Sequence, residues 1–126
     1  MLLLRVLPAV SDLHSFNWQD LRQLLDSVRD CDVLVIVQSA EILTRPWCLL
    51  EMVAAVDAGV PMIAISVSGK GYNFAEATNL LTHLDTRLDA INPGACDLLR
   101  RNGVEPIDAA FKLSTAVPNM ISIPFD

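Results

Sequence analysis

The sequence predicts an α/β fold with a mostly parallel sheet, and three observations carry that reading. Short apolar runs alternate with segments of helical period, in the order strand, helix, strand, helix, strand, helices, strand. The run Val33-Leu34-Val35-Ile36-Val37 is apolar at every position, so both of its faces need cover, which suits a central parallel strand. A length of 126 residues with 52% hydrophobic and 19% charged residues fits one domain with its own core, residues 1–126.

Each element has a local reason. Leu2 to Leu7 is an apolar run closed by Pro8 and reads as a first strand. Arg5 inside that run, with no small-residue cleavage site after it, argues against a signal peptide. Residues 9–17 form a polar loop. From Trp18 to Arg29, the residues Trp18, Leu21, Leu24, Leu25 and Val28 recur at helical spacing and predict an amphipathic helix. After the central strand, Pro46 suits a first helical turn, where its missing N–H costs nothing. That helix runs to about Ala58, and Gly59 stops it in a left-handed conformation. Pro61 to Val67 is the third strand, followed by the turn Ser68-Gly69-Lys70-Gly71. Asn73 with Glu76 marks a helix start. Ala77, Leu80, Leu81, Leu84, Leu88 and Ile91 then trace one helical stripe that Pro93-Gly94 breaks. Two short helices follow, roughly 95–101 and 107–116, divided by Asn102-Gly103, and Met120 to Pro124 reads as the last strand.

Composition narrows the function. A net charge of −6, from 15 acidic and 9 basic residues, argues against a nucleic-acid module, and no Lys/Arg cluster marks an anionic membrane surface. No apolar run approaches the ~20 residues that span a bilayer. Cys31, Cys48 and Cys96 show no CxxC pair and no Cys/His cluster, which predicts three free thiols in a reducing, cytoplasmic setting. Asp12, Asp20, Asp30 and Asp32 lack the ligand spacing of a calcium or zinc site, so no metal is expected. Gly69-Lys70-Gly71 lies between a strand and a helix, yet has neither phosphate-loop nor dinucleotide-fingerprint spacing.

The most informative segment is Arg45-Pro46-Trp47-Cys48-Leu49-Leu50-Glu51. Trp47 and Glu51 stand at i and i+4 on one face of the helix that follows the central strand. Ligands of open α/β sheets bind beyond the carboxyl ends of the strands, which makes Glu51 a candidate for chemistry. The competing reading is a solvated surface Glu near a favourable helix N-terminus. Trp47 is either a ring that stacks on a ligand or a packing residue. Cys48 lies where a helix N-terminus lowers a thiol pKa, but neither His14 nor His83 is placed by a motif to activate it.

Residues Asp20 to Ser39 resemble the second helix and central strand of a TIR domain, and Arg45 to Glu51 resemble that family's WCxxE motif. Ala55 to Ile65 is similar to the next helix end and strand. The resemblance spans about residues 18–67 and implies a flavodoxin-like three-layer sandwich. It implies one of two roles: hydrolysis of NAD at the nicotinamide–ribose bond, or signalling by homotypic TIR–TIR self-association. Under the first role Glu51 is the catalytic carboxylate, and Trp47, Cys48 and Ser39 are the substrate-binding residues. NAD is then a substrate, and no cofactor is implied. The chain departs from the family at its start: it begins where the family's second strand stands, and residues 11–17 hold no Gly where a Gly-containing loop is usual. A single carboxylate is chemically sufficient for NAD cleavage. Nicotinamide is already cationic on nitrogen and departs neutral, so the second carboxylate that most glycosidases need is dispensable.

Overall fold

The computed structural model describes residues 4–7, 18–38, 42–67, 73–118 and 120–125. The elements are β1 (Leu4–Leu7), α1 (Trp18–Asp30), β2 (Val33–Gln38), α2 (Pro46–Ala58), β3 (Met62–Val67), α3 (Phe74–Thr82), α4 (Leu84–Ile91), α5 (Ala95–Arg101), α6 (Pro106–Ala116) and β4 (Ile121–Phe125). A short 3-10 turn, Ile42–Thr44, leads into α2. The four strands are all parallel, in the order β1-β2-β3-β4. The alternating α/β pattern therefore folds as the sequence predicts, with boundaries within two residues of those read from it.

The local signals act as their chemistry requires. Pro46 opens α2, and Gly59 closes it at φ 72°, with its N–H donating to Ala55 and Val56 carbonyls. The Asn73 side chain accepts from the Glu76 N–H at 3.0 Å and caps α3. Pro124 sits in β4, an edge strand, where a missing ladder donor is tolerated.

Register sorts the strand residues onto two faces, because partners across a parallel ladder share a face. Leu34 pairs with Met62, and Ile36 with Ala64, which pairs with Ser122. Leu34 and Ile36 belong to the main core, and Met62 packs against it. All six helices join that same core, through residues such as Val28, Leu49, Leu81, Leu84, Leu99 and Leu113. Handedness explains this. Crossovers between parallel strands are right-handed in nearly all proteins, and here each steps to the next strand in the same direction, which favours helices on one side of the sheet. The opposite face carries Val33, Val35, Val37, Ile63, Ile65, Ile121 and Ile123, none of which joins the helix-side core.

Among the described residues, helices pack against one side of a parallel sheet, as an α/β fold requires. Two expectations are corrected. The long stripe 77–91 is two helices, α3 and α4. They break at His83 (φ −115°, ψ 32°), whose N–H reaches the Asn79 and Leu80 carbonyls, and the bend lets Leu81, Leu84 and Leu88 all point into the core. Finally, β1 pairs directly with β2. In a flavodoxin-like sheet of order 2-1-3-4-5 the second strand does not touch the third. A first strand that adjoins the central one therefore does not hold the second-strand place expected from the resemblance.

Candidate functional site

The site is built where β2 ends and α2 begins. The 3-10 turn buries Ile42 and Leu43, and the Asn92 side chain donates to the Thr44 carbonyl at 2.9 Å, tying the turn after α4 to the lead-in of α2. Arg45 holds an extended backbone, and its carbonyl accepts the Leu49 N–H at 3.1 Å to start the helix. From Cys48 to Ala55 every residue of α2 is buried. A helix apolar all round is the interior member of a helical layer, and α2 indeed lies against α1, α5 and α6.

Glu51 interrupts that apolar run. Its side chain is 5% exposed, and with Gln38 at 2% it makes up the buried polar set of the described residues. This excludes the reading of Glu51 as a solvated surface residue. It stands five residues after Pro46, about 7.5 Å along the axis from the first helical residue at 1.5 Å per residue. Burying a carboxylate costs free energy that other groups must offset, so the position of Glu51 is set by its polar surroundings as well as by packing.

Gln38 ends β2, and its Oε1 accepts a hydrogen bond from the Ser122 hydroxyl at 2.8 Å. The two strands are separated by β3, so this hydrogen bond reaches across it, from Gln38 opposite Ser66 to Ser122 opposite Ala64. The carboxyl edge of the sheet thus carries a polar seam on its helix side. Sequence reasoning did not pick out Gln38 or Ser122 as site residues. The available signal was a polar residue closing an otherwise apolar strand.

The other candidates separate. Trp47 is half-buried and packs against the core. Cys48 is buried, as are Cys31 and Cys96, and all three are free thiols. Burial, and then the neighbouring Asp89 carboxylate, push the Cys96 thiol above its ordinary pKa, so it stays protonated. Ser39, His14, Asp12 and the Gly69-Lys70-Gly71 turn lie outside the described residues. Among the described residues no group of three or more His, Cys, Asp and Glu is placed to hold a metal, and no helix is long and apolar enough to cross a membrane.

A cleft of about 440 Å³ opens elsewhere, lined by Leu25, Asp26, Arg29, Arg101, Asn102 and Gly103. It sits at the carboxyl ends of α1 and α5. Since α1 leads into β2, this is the amino edge of the sheet, opposite the edge where parallel sheets take ligands. Both arginines there are committed, Arg29 to Asp26 at 2.9 Å and Arg101 to Asp97 at 3.1 Å.

No family model, no curated protein and no solved structure matches this chain.

Proposed function

We propose that this chain is a TIR-like, flavodoxin-related domain that hydrolyses NAD at the nicotinamide–ribose bond, with Glu51 as the catalytic carboxylate. The carrying observation is the burial of Glu51 inside an otherwise apolar helix that starts at the carboxyl end of the sheet. The strand order supports the fold relation: consecutive neighbours β1 to β4 correspond to strands 1, 3, 4 and 5 of a 2-1-3-4-5 sheet.

In this reaction the bond between C1′ of ribose and the nicotinamide nitrogen breaks. The electron pair leaves with nicotinamide, which departs neutral. Water adds at C1′ and releases a proton. The transition state is oxocarbenium-like, and a fixed carboxylate in a water-poor environment stabilises its positive charge. On this reading Trp47, half-buried in the first turn of α2, would line the way to Glu51.

The test is NAD consumption by the purified chain. Glu51→Gln keeps the shape and removes the charge, and it should lower the rate on the order of 10²–10³-fold while the melting curve stays cooperative. Retention of more than about a tenth of the activity by this variant rejects the site assignment. The second reading is a non-catalytic TIR-like signalling module that acts by self-association.

A further inference from the structure

We infer that the cleft at the carboxyl ends of α1 and α5 binds a small oxyanion, the phosphate or carboxylate group of a small molecule, through Arg29 and Arg101. The inference goes beyond the NAD reading and does not rest on it, because the cleft lies at the edge of the sheet opposite the lead-in to α2.

The cleft brings together groups that are far apart in the chain. Leu25, Asp26 and Arg29 come from α1, and Arg101, Asn102 and Gly103 from the end of α5 and the turn after it. Leu25 is a buried core residue, so the cleft joins an apolar contact to charged ones. Its volume of about 440 Å³ falls within the ~300–1,000 Å³ of small-molecule pockets. Two guanidinium groups stand there against one carboxylate. The lining is therefore net positive in a chain whose net charge is −6.

Each guanidinium is steadied and still has donors to give. Asp26 holds Arg29 through one terminal nitrogen at 2.9 Å, and Asp97 holds Arg101 in the same way at 3.1 Å, each from about one turn earlier in the same helix. A guanidinium carries five N–H donors in a rigid fork, so neither contact exhausts it. The two side chains are 50% and 65% exposed, and ion pairs this open are worth little, so an arriving oxyanion competes with them readily. Two forks from two helices suit a group with several oxygens, because phosphate and carboxylate accept charge-assisted hydrogen bonds in pairs. An arginine in a last helical turn also offsets the partial negative charge of the helix end. That accounts for one arginine on each helix, but not for both lining one cleft. Two or three charge-assisted hydrogen bonds at a solvent-open site predict a dissociation constant on the order of 0.1–1 mM.

The experiment is an NMR titration of the backbone amides of the full chain with sodium phosphate, pyrophosphate and succinate. Ionic strength is held constant with sodium chloride, and circular dichroism confirms folding. At least one of the three should shift amides of residues 25–29 and 101–103 saturably. Saturation by the phosphates alone assigns a phosphate group, by succinate alone a dicarboxylate, and by both an unselective oxyanion site; each supports the inference. Arg29→Gln and Arg101→Gln should each raise the dissociation constant by about tenfold or more. Arg100→Gln makes the same charge change beside Arg101, at a side chain that pairs with Glu105 and does not line the cleft, and should bind like the wild type. Should a variant fail to fold, the wild-type shift map decides alone: shifts centred outside α1 and α5 overturn the site. No saturable binding by any of the three up to about 20 mM overturns the inference. So does binding that survives the double variant, or that Arg100→Gln weakens as much as Arg101→Gln.

Discussion

The two faces of the sheet are made of the same residue types and live in different surroundings. Ile36 on the helix side is almost fully buried, whereas on the other side exposure rises from Val35 on β2, 5% exposed, to Ile123 on the edge strand β4, 47% exposed. Polarity is distributed the opposite way to simple expectation. The helix-side face holds Gln38 and Ser122 in a hydrogen bond, while positions 33, 35, 37, 63, 65, 121 and 123 of the other face are all Val or Ile. Apolar character in a strand therefore shows that a face needs cover, and not which element covers it. A polar residue on the covered face is the one that calls for a functional or structural reason.

The strongest way to break this comparison is a matched pair of truncations. Ile36→Ala removes a packed side chain between sheet and helices and should cost about 2–5 kcal/mol in urea unfolding. Ile123→Ala, at a 47% exposed position, should cost less than about 1 kcal/mol. Equal losses would mean that the second face is covered within one chain. Trp47 falls between these limits. It packs against the core yet is only half-buried, so Trp47→Ala should cost roughly 2 kcal/mol, below the usual range for a fully buried Trp. A large rise in the Michaelis constant for NAD with unchanged melting would make it a ligand-stacking residue instead.

Smaller effects sharpen the account of how the covered side is assembled. Gly59→Ala places a Cβ where nothing lies within 4 Å, so its penalty is the left-handed backbone alone. That should amount to about 1–2 kcal/mol in denaturant unfolding. Asn92→Ala removes the bond to the Thr44 carbonyl and should cost about 1 kcal/mol by the same measurement. The last effect is kinetic. Cys31, Cys48 and Cys96 should react with iodoacetamide at neutral pH only at the rate of unfolding, because burial hides all three and holds Cys96 as the protonated thiol. Rapid labelling of the native chain would show that the helix-side core opens readily.

Much of this architecture was legible from residues close together in the chain. Pro46, Gly59 and the Asn73–Glu76 pair act within a single turn, so their backbone consequences follow from local chemistry. The His83 break was not legible. No Pro or Gly marks it, and the stripe from Ala77 to Ile91 is compatible with one helix until the core it faces is known. Glu51 was legible as a candidate by its place after the central strand. Its burial was not, since whether an amphipathic-looking position meets water depends on the neighbours α2 acquires, and α1, α5 and α6 come from both sides of it in sequence.

By itself, the sequence determined the α/β alternation and, apart from the break at His83, the strand and helix positions to within two residues. These depend on periodicity, capping and backbone restriction, which act over a few residues. Only the tertiary structure decided the strand order, the collection of all six helices on one side of the sheet, the withdrawal of Glu51 from solvent, and the meeting of Gln38 with Ser122 across 84 residues. Each of these depends on which crossover lands beside which strand. That choice is set by the handedness of whole connections and the packing of distant faces, and no local window of residues contains it.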